Sequence, residues 1–235
     1  MAKAPREGAV KTRLAPPLSQ VAAVQLSESF LADVTARVHE AAQAAPIIPY
    51  LAYAPAGSEA RFQGVIAAGT GLVLADGEAV TERELSGIGR ALWQAARSLL
   101  GLGFTAACLV SADAPSLPAA VLIEAARALT RPGDRMVLGP AEDGGYYLIG
   151  LKAPHVRLFE EIAWSTPAVA RETGARAAEL GLDVVLLRCW YDVDDLATLR
   201  RLAGALAAGT EWAPATKACL TRLGQLVPPF RSSSA

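Results

Sequence analysis

Residues Ala106-Ala107-Cys108-Leu109-Val110-Ser111-Ala112-Asp113 form an apolar run that ends on a carboxylate. A run without polar alternation suits a parallel strand covered on both faces. Similar short runs occur at 47–54, 72–75, 136–138, 146–151 and 183–189. Between them lie stretches with helical spacing. Ser19 N-caps a helix running to about Ala42, and a second, at 81–100, stops at Gly101 and Gly103. A third spans 118–129. A fourth enters through Trp164-Ser165-Thr166-Pro167 and stops at Gly181, and a fifth spans 196–208. Strands alternating with helices predict an α/β domain, a mostly parallel sheet with helices on both faces. Residues 1–209 read as one domain. Residues 210–235 read as a C-terminal tail, a short helix followed by a frayed end.

The bulk composition fits such a domain. The chain has 235 residues, 52% hydrophobic and 19% charged, which argues against intrinsic disorder. Twenty-two basic residues balance 23 acidic ones, so net charge gives no basis for binding nucleic acid or an anionic membrane. The three cysteines, Cys108, Cys189 and Cys219, make no CxxC pair, so neither a zinc site nor a disulfide framework is expected. Cys108 and Cys189 sit in apolar runs and read as buried small hydrophobes in a reducing, cytoplasmic protein. No apolar leader and no run of transmembrane length is visible.

Five segments carry candidate chemistry. Lys3, Arg6, Lys11 and Arg13 crowd a loop containing Gly8, which suits a di- or triphosphate or is simply a solvated basic terminus. A loop of that kind ordinarily follows a strand, yet almost nothing precedes this one, so the sheet's first strand is expected to be missing or replaced. Asp113 follows a buried strand, where open α/β sheets bind ligands. It is a candidate Mg²⁺ (or Mn²⁺) ligand or the cap of the next turn. Asp143-Gly144-Gly145-Tyr146-Tyr147 allows close backbone approach to a ligand and is also a hairpin signal. Asp192, Asp194 and Asp195 cluster after the last strand. Alternate acids Asp192 and Asp194 would point the same way as metal ligands, while Asp194 or Asp195 would cap the following helix. Trp164-Ser165-Thr166 reads first as a capping segment and second as an acceptor contact. His39 and His155 are isolated, the first on a helix far from these segments and the second following Pro154, and neither reads as a catalytic base.

In order, the segments KAPREGAVKTRL, SADAPSLP, GPAEDGGYYLIGL, WST and YDVDD resemble the GT-A-like rSAM/selenodomain-associated transferase 1 family of glycosyltransferases, relatives of the molybdenum-cofactor and phospholactate nucleotidyltransferases. The resemblance covers roughly residues 3–200 and implies a nucleotide-diphospho-sugar transferase fold. It matches Lys11 and Arg13 to phosphate-loop cations, Asp113 to the metal-binding acid, Asp143 to the acid of the Asp-Gly-Gly motif, and Asp192 and Asp194 to the late acidic pair. The chain departs from the pattern at Ala114, where a cysteine is usual, across 74–90, and after Asp194, which runs directly into Asp195-Leu196.

These features give three expectations. The first is a Mg²⁺-dependent glycosyltransferase acting on a nucleotide sugar and a small acceptor. Asp113, Asp192 and Asp194 would hold the metal. Lys3, Lys11, Arg13, Gly144, Gly145 and Tyr146 would bind substrate, and Asp143, with Asp113, would act in catalysis. The second is a nucleotidyltransferase releasing pyrophosphate from an NTP. The third is a non-catalytic nucleotide-binding protein.

Overall fold

The computed structural model describes residues 1–82 and 84–224. Seven strands and six α-helices follow in the order β1 (Ala2–Lys3), α1 (Gln20–Ala42), β2 (Tyr50–Ala54), β3 (Gly71–Leu74), α2 (Gly87–Gly101), β4 (Ala107–Val110), α3 (Ala119–Thr130), β5 (Arg135–Pro140), β6 (Tyr146–Leu151), α4 (Val169–Glu179), β7 (Asp183–Leu186), α5 (Leu196–Ala208) and α6 (Pro214–Arg222). The strands form two sheet segments, ordered β1-β2-β3 and β4-β6-β5-β7. β1, β2 and β3 are parallel, as are β5 and β7, while β6 runs antiparallel between β4 and β5. This is the α/β architecture that the strand–helix alternation predicts, with one reversed strand. The β5–β6 connection is a tight hairpin at Asp143-Gly144, which cannot carry a parallel crossover.

β1 spans two residues. Ala2 pairs with Tyr53 and Lys3 with Ala54. The core lies in layers on both sheet faces. Met136, Leu138, Ile149 and Leu151 pack with Trp93 and Leu99 of α2 on one side. Val137 and Leu148 pack with Leu122, Ala125 and Leu129 of α3 on the other. Inner strands β5 and β6 are therefore buried except at Pro140 and Tyr146, whereas edge strands β3 and β7 expose Leu72 and Leu186.

Several boundaries differ from the sequence expectation, each for a local reason. α1 starts where expected because the Ser19 side chain accepts from Ala22 N–H at 3.1 Å. α2 begins at Gly87 rather than near Thr81. Arg90 reaches back to the carbonyls of Gly77 and Val80, and Gln94 accepts from Gly77 N–H, which holds the preceding segment as a loop. α4 begins at Val169, after Trp164-Ser165-Thr166-Pro167 rather than through it. β7 stops at Leu186, three residues short of Cys189. Cys108 and Cys189 are exposed and only Cys219 is buried, so the reading of the first two as buried packing residues is corrected. β4 and β7 are both edge strands, and an apolar run there is covered incompletely.

The short helix expected after Gly209 is α6, and it is docked firmly. Thr216, Cys219 and Leu220 are fully buried against α1 and α5. Asp33 of α1 accepts from the N–H groups of Ala215 and Thr216 and from the Thr216 hydroxyl, at 2.7–2.9 Å. A carboxylate at the first turn of α6 satisfies donors that a helix start leaves open. The frayed end expected at 231–235 lies outside the described residues.

Candidate active site

The carboxyl ends of β4, β5 and β7 and the turn entering β6 converge on one cavity of about 500 Å³. Its wall includes Arg13, Asp113, Asp143, Gly145, Tyr146 and Trp164, together with Ser165, Thr166, Asp192 and Asp194. Segments 80 residues apart in sequence thus meet at the strand ends, where open α/β sheets place their ligands.

Asp113 is fixed by its backbone. Its N–H donates to Ser111 Oγ at 3.1 Å, and its carbonyl accepts from Val193 N–H at 2.7 Å. The second bond ties the segment after β4 to the late acidic segment. The choice between Asp194 and Asp195 as helix cap is resolved. Asp195 caps α5 in a reciprocal pair with Thr198, leaving Asp194 free to face the cavity. Asp192 and Asp194 both line it, as extended alternation requires.

Lys11 sits among these acids. Its side chain is 5% exposed, with Nζ 2.6 Å from Asp113 Oδ1, 3.5 Å from Asp194 Oδ1 and 2.7 Å from the Val193 carbonyl. Its backbone is left-handed, with φ of 48°. That conformation is uncommon for a side-chain-bearing residue, and the convergent contacts hold it. Arg13 lines the cavity beside it, while Lys3 is exposed on β1 and outside the cavity wall.

Burial and like charge act together on the acids. Asp192 is pushed up to about 7, mainly by desolvation and then by Asp113 and Asp194. Asp194 is raised by burial and by Asp113, and Lys11 opposes the rise. Asp192 Oδ1 is a buried oxygen without a hydrogen-bond partner. An unpartnered, desolvated carboxylate oxygen beside two further carboxylates is a donor set that suits a hard divalent cation such as Mg²⁺. Among the described residues no three His, Cys, Asp or Glu side chains converge as a ready-made metal cage. Mg²⁺ does not require one, since it binds through one or two carboxylates plus water and substrate phosphate.

The Asp-Gly-Gly turn is both hairpin and cavity wall. Asp143 Oδ1 accepts from Gly145 N–H at 2.8 Å. Gly144 has φ of +88° and packs so tightly that a Cβ would drive into the Pro167 backbone, so the turn is locked to the 164–167 segment. Gly144 carbonyl also accepts from Ala170 N–H at 2.9 Å, at the start of α4. Gly144 lies behind the wall that Gly145 lines. Tyr146 presents its ring to the cavity, edge-on to Trp164 at 6.4 Å between centroids. Its hydroxyl is buried without a hydrogen-bond partner, and desolvation raises its pKa. Tyr147 hydroxyl donates to the Arg188 carbonyl at 2.8 Å. Both tyrosines line the cavity, and the Tyr147 hydroxyl is engaged by the Arg188 carbonyl.

The sequence reading favoured a capping role for Trp164-Ser165-Thr166, and that role is not what the structure assigns. α4 is entered through Ala168 with no side-chain cap, and Trp164, Ser165 and Thr166 line the cavity. Ser165 has φ of 64°, a conformation that sequence does not announce. The small residues Gly87 and Gly89, against which the Trp164 ring packs, were the available signal. His39 bonds Thr70 and His155 bonds Asp134, both away from the cavity.

Known proteins can be compared with this geometry. A family profile described as "Uncharacterized protein conserved in bacteria (DUF2064)" matches residues 36–166. The chain belongs to the DUF2064 family. The matched span runs from α1 to the Trp164 segment and includes Asp113 and the Asp143-Gly144-Gly145 turn. Among solved structures, this DUF2064 chain is similar to a candidate nucleotide-diphospho-sugar transferase from Desulfovibrio desulfuricans. The match has a TM-score of 0.80 and 24% identity, over 96% of this chain and 93% of that one. The two share a fold. No match was found among curated proteins.

Proposed function

We propose that this protein is a transferase that binds a nucleotide-activated donor with Mg²⁺ and passes part of it to a small acceptor, with a nucleotide sugar as the donor. One observation carries the reading: four aspartates and Arg13, from distant parts of the chain, line a single cavity at the strand ends. The order of the sequence motifs supports the narrower kinship with the rSAM/selenodomain-associated transferase 1 group.

In this reading Asp113, with Asp192 or Asp194, would hold the metal, which would neutralise the diphosphate leaving group. Arg13 binds the donor's phosphates. Lys11 is the resident counter-ion of the acids without donor, and it transfers its contacts to phosphate when metal and donor enter together. The Tyr146 and Trp164 rings bound the acceptor side, where Ser165 and Thr166 supply polar contacts. Asp143, through its other carboxylate oxygen, would accept the acceptor's hydroxyl proton.

Nucleotidyl transfer has one observation in its favour. Asp143 Oδ1 is already engaged by Gly145 N–H, and attack on an α-phosphate by an acceptor phosphate or carboxylate needs no base. Product identity separates the two: a nucleoside diphosphate supports glycosyl transfer, pyrophosphate supports nucleotidyl transfer. A thermal-shift panel of nucleotide sugars and NTPs, with and without Mg²⁺, finds the donor, because a ligand that binds only the folded state raises its melting temperature. A panel without any Mg²⁺-dependent shift would count against both.

A further inference from the structure

The cavity at the strand ends has two walls of different chemistry. One holds Asp113, Asp192, Asp194 and Arg13. The other is built from Ile88 and Leu92 of α2, from Tyr146 and Trp164, and from Pro167 and Val169 at the entry to α4. Leu92 belongs to the buried core cluster against which Tyr146 and Trp164 pack, so these side chains form one apolar surface. Asp143 stands at the junction of the two walls. Its charge reaches Asp192, and Gly145 and Tyr146 follow it along the cavity.

The apolar wall is held in place from behind. The Trp164 ring lies on the first turn of α2, where a Cβ at Gly89 would fall 2.8 Å from it. Tyr146 meets that ring edge-on, and its hydroxyl turns inward toward Thr173, which is fully buried. Ile88, between Gly87 and Gly89, is 54% exposed, and it is the member of this wall left most open among the large hydrophobic side chains described. A fixed aromatic pair beside an uncovered isoleucine binds an apolar ring at little ordering cost. The polar side chains next to it, Ser165 and Thr166, are uncharged. Charge across the cavity points the same way: its charged side chains are four aspartates and Arg13. In the proposed reaction Arg13 and Lys11 serve the donor's diphosphate. An acceptor carboxylate or phosphate would then face aspartates with no cation of its own.

We propose that the acceptor is an uncharged alcohol on an apolar, ring-bearing body, seated on Ile88, Leu92, Tyr146 and Trp164 with its hydroxyl at Asp143. This rests on the glycosyl-transfer reading and narrows it. In the step, the acceptor oxygen bonds to the anomeric carbon of the nucleotide sugar. The bond from that carbon to the diphosphate oxygen breaks, and its electron pair leaves with the nucleoside diphosphate. The hydroxyl proton passes to the Asp143 carboxylate. The anionic acceptor that nucleotidyl transfer would use finds no matching charge on this wall.

The test titrates three probes, 2-phenylethanol, phenylacetate and glucose, into the full chain without donor or metal, read by ligand-observed NMR. 2-Phenylethanol should bind at least about fivefold more tightly than either of the others. Ile88→Ser should weaken its binding at least about threefold, and Trp164→Ala at least about fivefold. If Trp164→Ala fails to fold, Ile88→Ser, a change at an exposed helix position, decides alone. Phenylacetate or glucose binding as tightly as 2-phenylethanol overturns the proposal. So does 2-phenylethanol affinity unchanged in Ile88→Ser, which would place the probe elsewhere on the protein. Donor binding is read separately. A Mg²⁺-dependent shift with a nucleotide sugar but no binding of 2-phenylethanol overturns the acceptor assignment alone. The expected 2-phenylethanol binding without any donor shift supports the apolar seat and removes the transfer reading.

Discussion

Replacing Lys11 with methionine probes the electrostatic balance of the proposed active site. The substitution keeps most of the buried stem and removes the charge that faces Asp113 and Asp194. Breaking a fully buried ion pair costs about 3–5 kcal/mol, because a charge is left uncompensated. Here the lysine is buried but the aspartates are 43% and 44% exposed, so water screens part of the loss. The expected cost without metal is about 1–3 kcal/mol, a fall in melting temperature of roughly 3–10 °C for a chain of this size. Mg²⁺ or Mn²⁺ should then restore more stability to Lys11→Met than it adds to the parent, because a dication takes over the lost neutralisation. Donor binding should weaken even with metal saturating, since a phosphate contact is gone. Calorimetric melting at stepped metal concentrations measures the first two effects. A variant that melts at the parental temperature, with the same metal response as the parent, would refute the counter-ion assignment.

Other substitutions test neighbouring parts of the account. Asp192→Asn should change the pH dependence of stability. Its folded pKa, raised to about 7, lies above the unfolded carboxylate value, so the parent binds this proton more tightly when folded and loses stability as pH rises from about 4 through 7. The asparagine variant should lack that decline and be about 2–4 kcal/mol more stable than the parent at pH 8, with the difference closing toward pH 4, as urea titrations across that range would register. Gly144→Ala meets both a positive φ and the Pro167 backbone, so a loss of about 2–4 kcal/mol and a disordered hairpin turn are expected, read by chemical denaturation and by amide signals of the turn. Asp33→Ala strands three donors at the start of α6, and should cost about 2–4 kcal/mol in urea titration while leaving ligand affinity at the strand-end cavity unchanged.

Much of the fold was legible because long apolar periodicities report burial directly. α1 with its Ser19 cap and α5 over Leu196–Ala208 fall where spacing placed them, and inner strands β5 and β6 fall on the apolar runs at 136–138 and 146–151. What sequence could not supply is set by contacts between distant segments. The late start of α2 depends on Arg90 and Gln94 gripping the preceding loop. The exposure of Cys108 depends on the place of β4 at a sheet edge, a property of sheet order rather than of the run itself. In the candidate site, Asp113, Asp192 and Asp194 were visible as acids after strands, and the structure brings them to one wall. That Lys11 lies between them, and that the Trp164 segment lines the cavity rather than capping α4, follows from loop conformations at Lys11 and Ser165 that composition does not encode.

The central claim is that Asp113 helps to hold a divalent cation that in turn holds the donor's phosphates. Isothermal titration of a nucleoside diphosphate sugar into the parent protein and into Asp113→Asn, each with and without Mg²⁺, tests it directly. The account predicts binding at least about tenfold tighter with Mg²⁺ in the parent, a difference of about 1.4 kcal/mol, and no such gain in the variant, with both proteins equally folded. Donor affinity that is the same with and without the metal, or a metal gain that survives in Asp113→Asn, would contradict it.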